Sequence, residues 1–417
     1  MGLTGDWTVP SSATAVLKPA RRVSAAPPKR GIGPVASWLF GCCTLILLLV
    51  VIGGITRLTL SGLSITEWKP VVGILPPLSP SDWATEFAKY KQIPEYRVVH
   101  YAMSLDEFKT IYFWEYLHRL LGRLVGIAYG VPFVWFLLRR QLPRSLVLPL
   151  AVILLLGFGQ GALGWYMVES GLADRTEVSQ YRLVAHLALA LGIYAAILWL
   201  ALGIVRIPRP DRRFVRSHPT QNPMAGLDPA IHVSNAASKV VGGRAKPGHG
   251  VVMGGESRRL VLEPSPAWRR AAEIIILLVA VTIAAGGLVA GTHAGLIHNT
   301  FPLMDGRVVP ADYARLRPFI LNWFENVAAI QFDHRLLALA TAVLIVLAWT
   351  AGLRAALPRR CRLALHALLA AAVLQVALGI TTLVLVVPIP LAVAHQAGAI
   401  VLLTAALVLR HMMRSAP

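Results

Sequence analysis

Four histidines, His118, His186, His334 and His395, fall inside long apolar runs of a 417-residue chain. An ionisable side chain within a membrane-length apolar segment is costly, and it is a functional candidate by default. Each of the four lies within roughly two turns of the start of a predicted helix. These are the second, fourth, sixth and eighth helices of the chain, which all run inward from the outer face. The four imidazoles therefore share one layer, a turn or two below that face. One isolated helical histidine is usually a hydrogen-bonded packing residue, but four at matched depth, paired by an internal duplication, read as ligands. Facing neutral imidazoles suit zinc, copper or iron. Bare metal sites usually add thiolates or carboxylates, and structural zinc takes four ligands. A haem needs two axial ligands and a wide apolar slot, which a four-helix unit supplies.

A haem also brings propionates. Arg119, Arg123 and Arg335 flank the histidines, and Arg57 lies near the outer end of the first helix. The planar guanidinium fork binds carboxylates bidentately; the alternative for each arginine is interfacial snorkelling. Glu115 lies three residues before His118, on the same helix face. The matching position before His334 is the neutral Gln331. A carboxylate in an apolar pocket tends toward a raised pKa and can shuttle protons or balance developing positive charge. The alternative is an ion pair with Arg119 or Arg123. The asymmetry assigns chemistry to the first half of the chain and a resident cofactor to the second.

These residues need a frame. Only 14% of the chain is charged, and its mean hydropathy is +0.62. Apolar runs of about 20 residues, each able to cross a hydrocarbon core of roughly 30 Å, predict helices near 36–58, 111–138, 145–168, 182–205, 271–291, 327–353, 363–386 and 391–410. The expected fold is all-α, a polytopic membrane protein of eight transmembrane helices. No small-residue cleavage site follows the first run, so it reads as a retained helix rather than a signal peptide. A net charge of +20 would point to nucleic acid in a soluble protein. Here the basic residues gather in the N-terminal tail, the even-numbered connections (Arg139, Arg140 and Arg144; Arg206 to Arg216; Arg354, Arg359 and Arg360) and the C-terminal tail. The odd-numbered connections carry Asp82, Glu86, Glu95, Asp106, Glu107, Glu169, Asp174 and Glu177. That bias is the positive-inside pattern. It predicts both termini on the cytoplasmic side (or the matrix side in an organelle), with the lipid bilayer and not nucleic acid as partner; the expected location is the bacterial inner membrane.

The two halves repeat one design. Gly53-Gly54 and Gly62-Leu63 match Gly286-Gly287 and Gly295-Leu296, and His118-Arg119-Leu120-Leu121 matches His334-Arg335-Leu336-Leu337. Gln160 and Ala162-Leu163-Gly164 match Gln375 and Ala377-Leu378-Gly379, and Val184-Ala185-His186 matches Val393-Ala394-His395. Two tandem, pseudo-symmetric four-helix bundles follow, related by an axis along the membrane normal. The expected organisation is a cytoplasmic tail (1–35), an N-terminal bundle (36–205), a cytoplasmic linker (206–270) and a C-terminal bundle (271–417). Residues 217–250, rich in Gly, Pro, Ser and Asn without periodicity, read as an inserted solvated segment. Cys42 and Cys43 are adjacent and Cys361 stands apart; no disulfide and no CxxCH haem attachment is expected, and the first two have no evident role.

The stretch MSLDEFKTIYFWEYLHRLLGR (Met103 to Arg123) resembles the signature of haem A synthases of the mitochondrial and alpha-proteobacterial type. So do GGITRLTLSGLSITEW (Gly53 to Trp68), GLIHNTFPLM (Gly295 to Met304) and the two Ala-His segments. The resemblance covers all but residues 1–30 and the insert. It implies an oxidoreductase that converts the C8 methyl group of haem O to a formyl group, yielding haem A for terminal oxidases. It implies haem b held by His334 and His395 with Arg335 nearby, and haem O between His118 and His186 with Arg57, Arg119 and Arg123. Glu115 becomes the catalytic acid, base or charge stabiliser, and the second haem an electron relay. Contact with haem O synthase and with an electron-transfer partner is expected, and a homo-oligomer is left open. Residues 61–110 contain no cysteine, so the loop cysteine pair of some family members has no counterpart. Two other readings stand beside this one. A bis-histidine cytochrome b carrying electrons from quinol explains the histidines but leaves Glu115 idle. A permease would place its polar groups nearer the midplane.

Overall fold

The computed structural model describes residues 33–68, 72–174, 176–205 and 264–414. The insert 217–250 and most of the linker lie outside the described residues, as does the N-terminal tail to residue 32. The described chain is helical, and its sole β-pairing is an isolated bridge between Met304 and Arg307. Its elements are α1 (Pro34–Leu58), α2 (Pro80–Tyr90), α3 (Pro94–Val98), α4 (Leu105–Leu138), α5 (Arg144–Asp174), α6 (Gln180–Ile204), α7 (Pro266–Gly291), α8 (Asn322–Glu325), α9 (Val327–Arg354), α10 (Arg359–Val384) and α11 (Ile389–Met412). Eight of them, α1, α4, α5, α6, α7, α9, α10 and α11, are long and apolar enough to span a membrane. They are the eight expected from the sequence, and the chain is a multi-pass membrane protein.

Two boundaries differ from the hydropathy reading. α4 begins at Leu105, because Ser104 and Glu107 form a reciprocal capping box that starts the helix before its apolar part. Its 34 residues make a rod of about 50 Å, well beyond the hydrocarbon core. His118 consequently lies more than three turns into its helix, whereas His186, His334 and His395 lie within about two turns of theirs. α5 likewise runs on to Asp174. The extensions support a cover over the first half. In it, α2 opens with a second capping box at Ser79 and Asp82, and Phe87, Tyr90, Ile93, Phe108, Ile111 and Tyr112 form a separate apolar core.

In the first half α1 packs on α4 and α6, and α5 packs on the same two helices. In the second half α7 packs on α9 and α11, and α10 completes that ring in the same way. The duplication read from the sequence is thus a duplication of packing. The rings meet through α1 against α11, α6 against α7, and α6 against α11. Large apolar side chains such as Ile127, Val131, Leu155, Phe158, Leu277, Leu347 and Val373 remain exposed on the outside of the bundle. Bilayer contact, rather than a soluble core, satisfies them.

Candidate functional site

Each histidine of the layer rests on a glycine of the neighbouring helix. A Cβ at Gly53 of α1 would stand 2.8 Å from Cε1 of His118, and one at Gly164 of α5 would stand 2.9 Å from Cε1 of His186. In the second half the corresponding distances are 3.0 Å for Gly286 against His334 and 2.8 Å for Gly379 against His395. Any side chain there would displace the ring, so the four glycines allow each imidazole to bring its Cε1 edge close to the adjoining helix. His118 and His186 are electrostatic neighbours, as are His334 and His395. The structure therefore assembles two imidazole pairs, one in each ring.

The pairs differ in what holds the second ring nitrogen. Nδ1 of His334 lies 3.2 Å from the Thr282 carbonyl oxygen, and Nδ1 of His395 lies 3.2 Å from Gln375 Nε2. In the first half Nδ1 of His118 faces the Leu49 carbonyl of α1, the position matching Thr282, while Nδ1 of His186 is buried without a hydrogen-bond partner. Gln160 keeps only the backbone part of the Gln375 pattern: each amide donates to the carbonyl of its histidine at 3.0 Å. Metal-ligating imidazoles normally have the second nitrogen bonded to a neighbouring group, which fixes ring orientation. His118 and His334 each have a backbone carbonyl there, from Leu49 and Thr282, so the halves differ only in the Gln375 contact to His395, which His186 lacks.

Glu115 is buried and surrounded by donors. Its Oε2 accepts from the Ser64 hydroxyl and the Ile65 N–H, each at 2.7 Å. Its Oε1 accepts from Arg119 Nε at 3.0 Å and Nη2 at 2.5 Å. The ion pair with Arg119 weighed from the sequence is thus present. Arg119 also donates to the Ile65 and Glu67 carbonyls, fastening the segment after α1 to α4. Gln331 and Arg335 repeat this fastening with opposite polarity. The Gln331 amide donates to the Ala294 and Ile297 carbonyls at 2.8 and 2.6 Å, and Arg335 donates to the His298 and Thr300 carbonyls. Arg57 donates to Glu177 at 2.8 Å and meets His293 Nε2 at 2.9 Å, bridging α1 to the segment after α7. Hydrogen bonding to His293, opposed by burial and helped by Arg57, holds the Glu177 carboxyl below the usual carboxylate range. Arg57, Arg119 and Arg335 therefore have protein partners of their own, and Arg123 follows one turn below Arg119 on α4.

Sequence reasoning missed three features. The four glycines carried a signal, since they recur within the matched segments of both halves. Glu177 and His293 looked like unrelated loop residues. Glu95 appeared only as a loop charge, yet it is 3% exposed. The cysteines behave as expected: Cys42, Cys43 and Cys361 are buried and free.

Known proteins show the same arrangement of segments. A family model described as cytochrome oxidase assembly protein matches residues 36–236 and 251–407. The chain belongs to this family. It is 44% identical over 381 residues to a haem A synthase of Nitrosospira multiformis, covering 91% of this chain and 94% of the relative. It is 47% identical to one from Rhodospirillum centenum, covering 91% and 87%, and 44% identical to one from Nitrosomonas eutropha, covering 90% and 92%. The family match spans both rings and breaks only over 237–250, within the segment read as an insert.

Proposed function

We propose that the chain is a membrane haem A synthase: an enzyme that oxidises the C8 methyl group of haem O to a formyl group, producing haem A for terminal oxidases. The relatives support the activity. The observation that carries the division of labour is the buried carboxylate: Glu115 stands one turn before His118, and the neutral Gln331 takes its place before His334. His334, whose Nδ1 faces the Thr282 carbonyl, and His395 suit a resident haem b. His118 and His186, in the ring that carries Glu115, suit the substrate haem O. Four imidazoles seated against glycines, two to a ring, would hold one haem in each half. Bound there, haem supplies the redox chemistry while the protein supplies position and electrostatics. His118 and His186 orient the substrate. Glu115, fixed by Ser64, Ile65 and Arg119, acts as a negative charge held beside the substrate site. Arg119, Arg123, Arg335 and Arg57 bring positive charge to the outer layer where propionates would lie. Both termini are assigned to the cytoplasm, and haem O synthase and an electron acceptor are the expected partners. Acid extraction of the purified protein tests this reading. Haem b together with haem O or haem A is the expected content. Haem b alone, with no conversion of added haem O, would leave a bis-histidine electron carrier.

A further inference from the structure

Glu95 meets the criterion by which the sequence singled out Glu115. It is 3% exposed, on the short helix α3, and its Oε2 is buried without a hydrogen-bond partner. Glu115 accepts four hydrogen bonds, which suits a fixed carboxylate; Glu95 has an oxygen to spare. The groups acting on it are Tyr90 of α2, Arg57 of α1, Glu115 of α4 and Glu177 before α6, with Tyr96 of α3 beside Tyr90. The Tyr90 hydroxyl lies against Glu95 and shares a 2.6 Å hydrogen bond with Nδ1 of His100, which reaches the partly exposed outer surface. A line of exchangeable protons thus runs from the outer face through His100 and Tyr90 to Glu95, over the first ring. Among the described residues the second half has no counterpart. Its cover has Asp305 paired with His298 and Asp333 accepting from Tyr313, and neither carboxylate is buried.

We propose that His100, Tyr90 and Glu95 form a proton relay between the outer aqueous face and the haem O site of the first half. The relay rests on the function assigned above. Oxidising a methyl to a formyl group removes hydrogen from the substrate as protons and electrons, and the relay gives the released protons a path outward across the apolar cover. Glu95 takes a proton on one carboxyl oxygen as it gives up the proton held on the other. No electrons move, and the group ends as it began. Burial, reinforced by Glu115 and Glu177, pushes its carboxyl up to about 8, so it is protonated at neutral pH. As pH rises through that value the carrier form is lost and turnover should fall.

The test is haem O turnover against pH for the purified full chain, with its haem spectrum recorded alongside. Glu95→Gln should keep the resident haem spectrum, lose about tenfold or more in rate and lack the alkaline fall near pH 8. Glu95→Asp should recover part of the rate. Tyr90→Phe keeps the buried ring but breaks the line, and should slow turnover in the same way. It decides the matter if Glu95→Gln does not fold. Wild-type rate and pH profile in Glu95→Gln, or in Tyr90→Phe where that variant decides, would overturn the relay while leaving the assigned function intact. Failure of the wild-type chain to convert haem O would overturn both.

Discussion

Glu115 and Gln331 occupy matching positions and do matching work with opposite polarity. The carboxylate accepts from a hydroxyl, a backbone N–H and Arg119, while the amide donates to two backbone carbonyls. Each ties the segment after its ring's first helix to the helix bearing a histidine. The comparison changes what Glu115→Gln should do. An amide at 115 presents N–H groups to neighbours that are themselves donors, so the variant should be less stable by about 1–3 kcal/mol. With the negative charge gone, haem A formation should fall by about 10²-fold or more. Thermal melting and turnover check the two effects separately, and the b-type spectrum should persist. Near wild-type turnover would remove Glu115 from the chemistry. The sequence showed that Glu115 stands apart from Gln331, because residue type and register are enough for that. It did not show which donors surround Glu115, because Ser64 and Ile65 are brought to it by the path of a loop. Glu95 was illegible for the same reason: nothing in its local sequence distinguishes a buried carboxyl from a solvated one.

At the scale of elements, helix pairs set the imidazoles. Gly286 and His334 come from α7 and α9, and their contact exists only because those helices pack closely. Gly286→Ala should push the His334 ring aside, at a cost of about 1–3 kcal/mol from overpacking. The b-type absorption should then shift or weaken. Gly53→Ala, the same change against His118, should leave that absorption in place and weaken haem O binding. Identical spectra for wild type and Gly286→Ala would show that the glycine does not position the ligand. The eight spanning helices were legible because a membrane demands long apolar runs. α2 and α3 were not read, although Ser79, Pro80 and Asp82 spell a helix start, because hydropathy is blind to short amphipathic helices above the membrane. The same blindness set the start of α4 too late and placed His118 too near its helix end.

The whole molecule is a duplicated ring whose copies have diverged at their covers and at the Glu115/Gln331 position. Charge placement predicts an orientation with the histidine layer toward the outer face. A periplasmic reporter fused after Pro388, between α10 and α11, should be active, and one fused after Arg414 should be silent. The opposite result would invert the topology. The central claim is that the two rings hold different haems in different ways, and the haem content of two variants tests it most directly. His334→Ala and His118→Ala should each be purified, scanned as reduced-minus-oxidised spectra and extracted with acid. The account predicts that His334→Ala loses the b-type spectrum. It predicts that His118→Ala keeps that spectrum but yields neither haem O nor haem A. Loss of the b-type haem from His118→Ala, with its retention in His334→Ala, would contradict it.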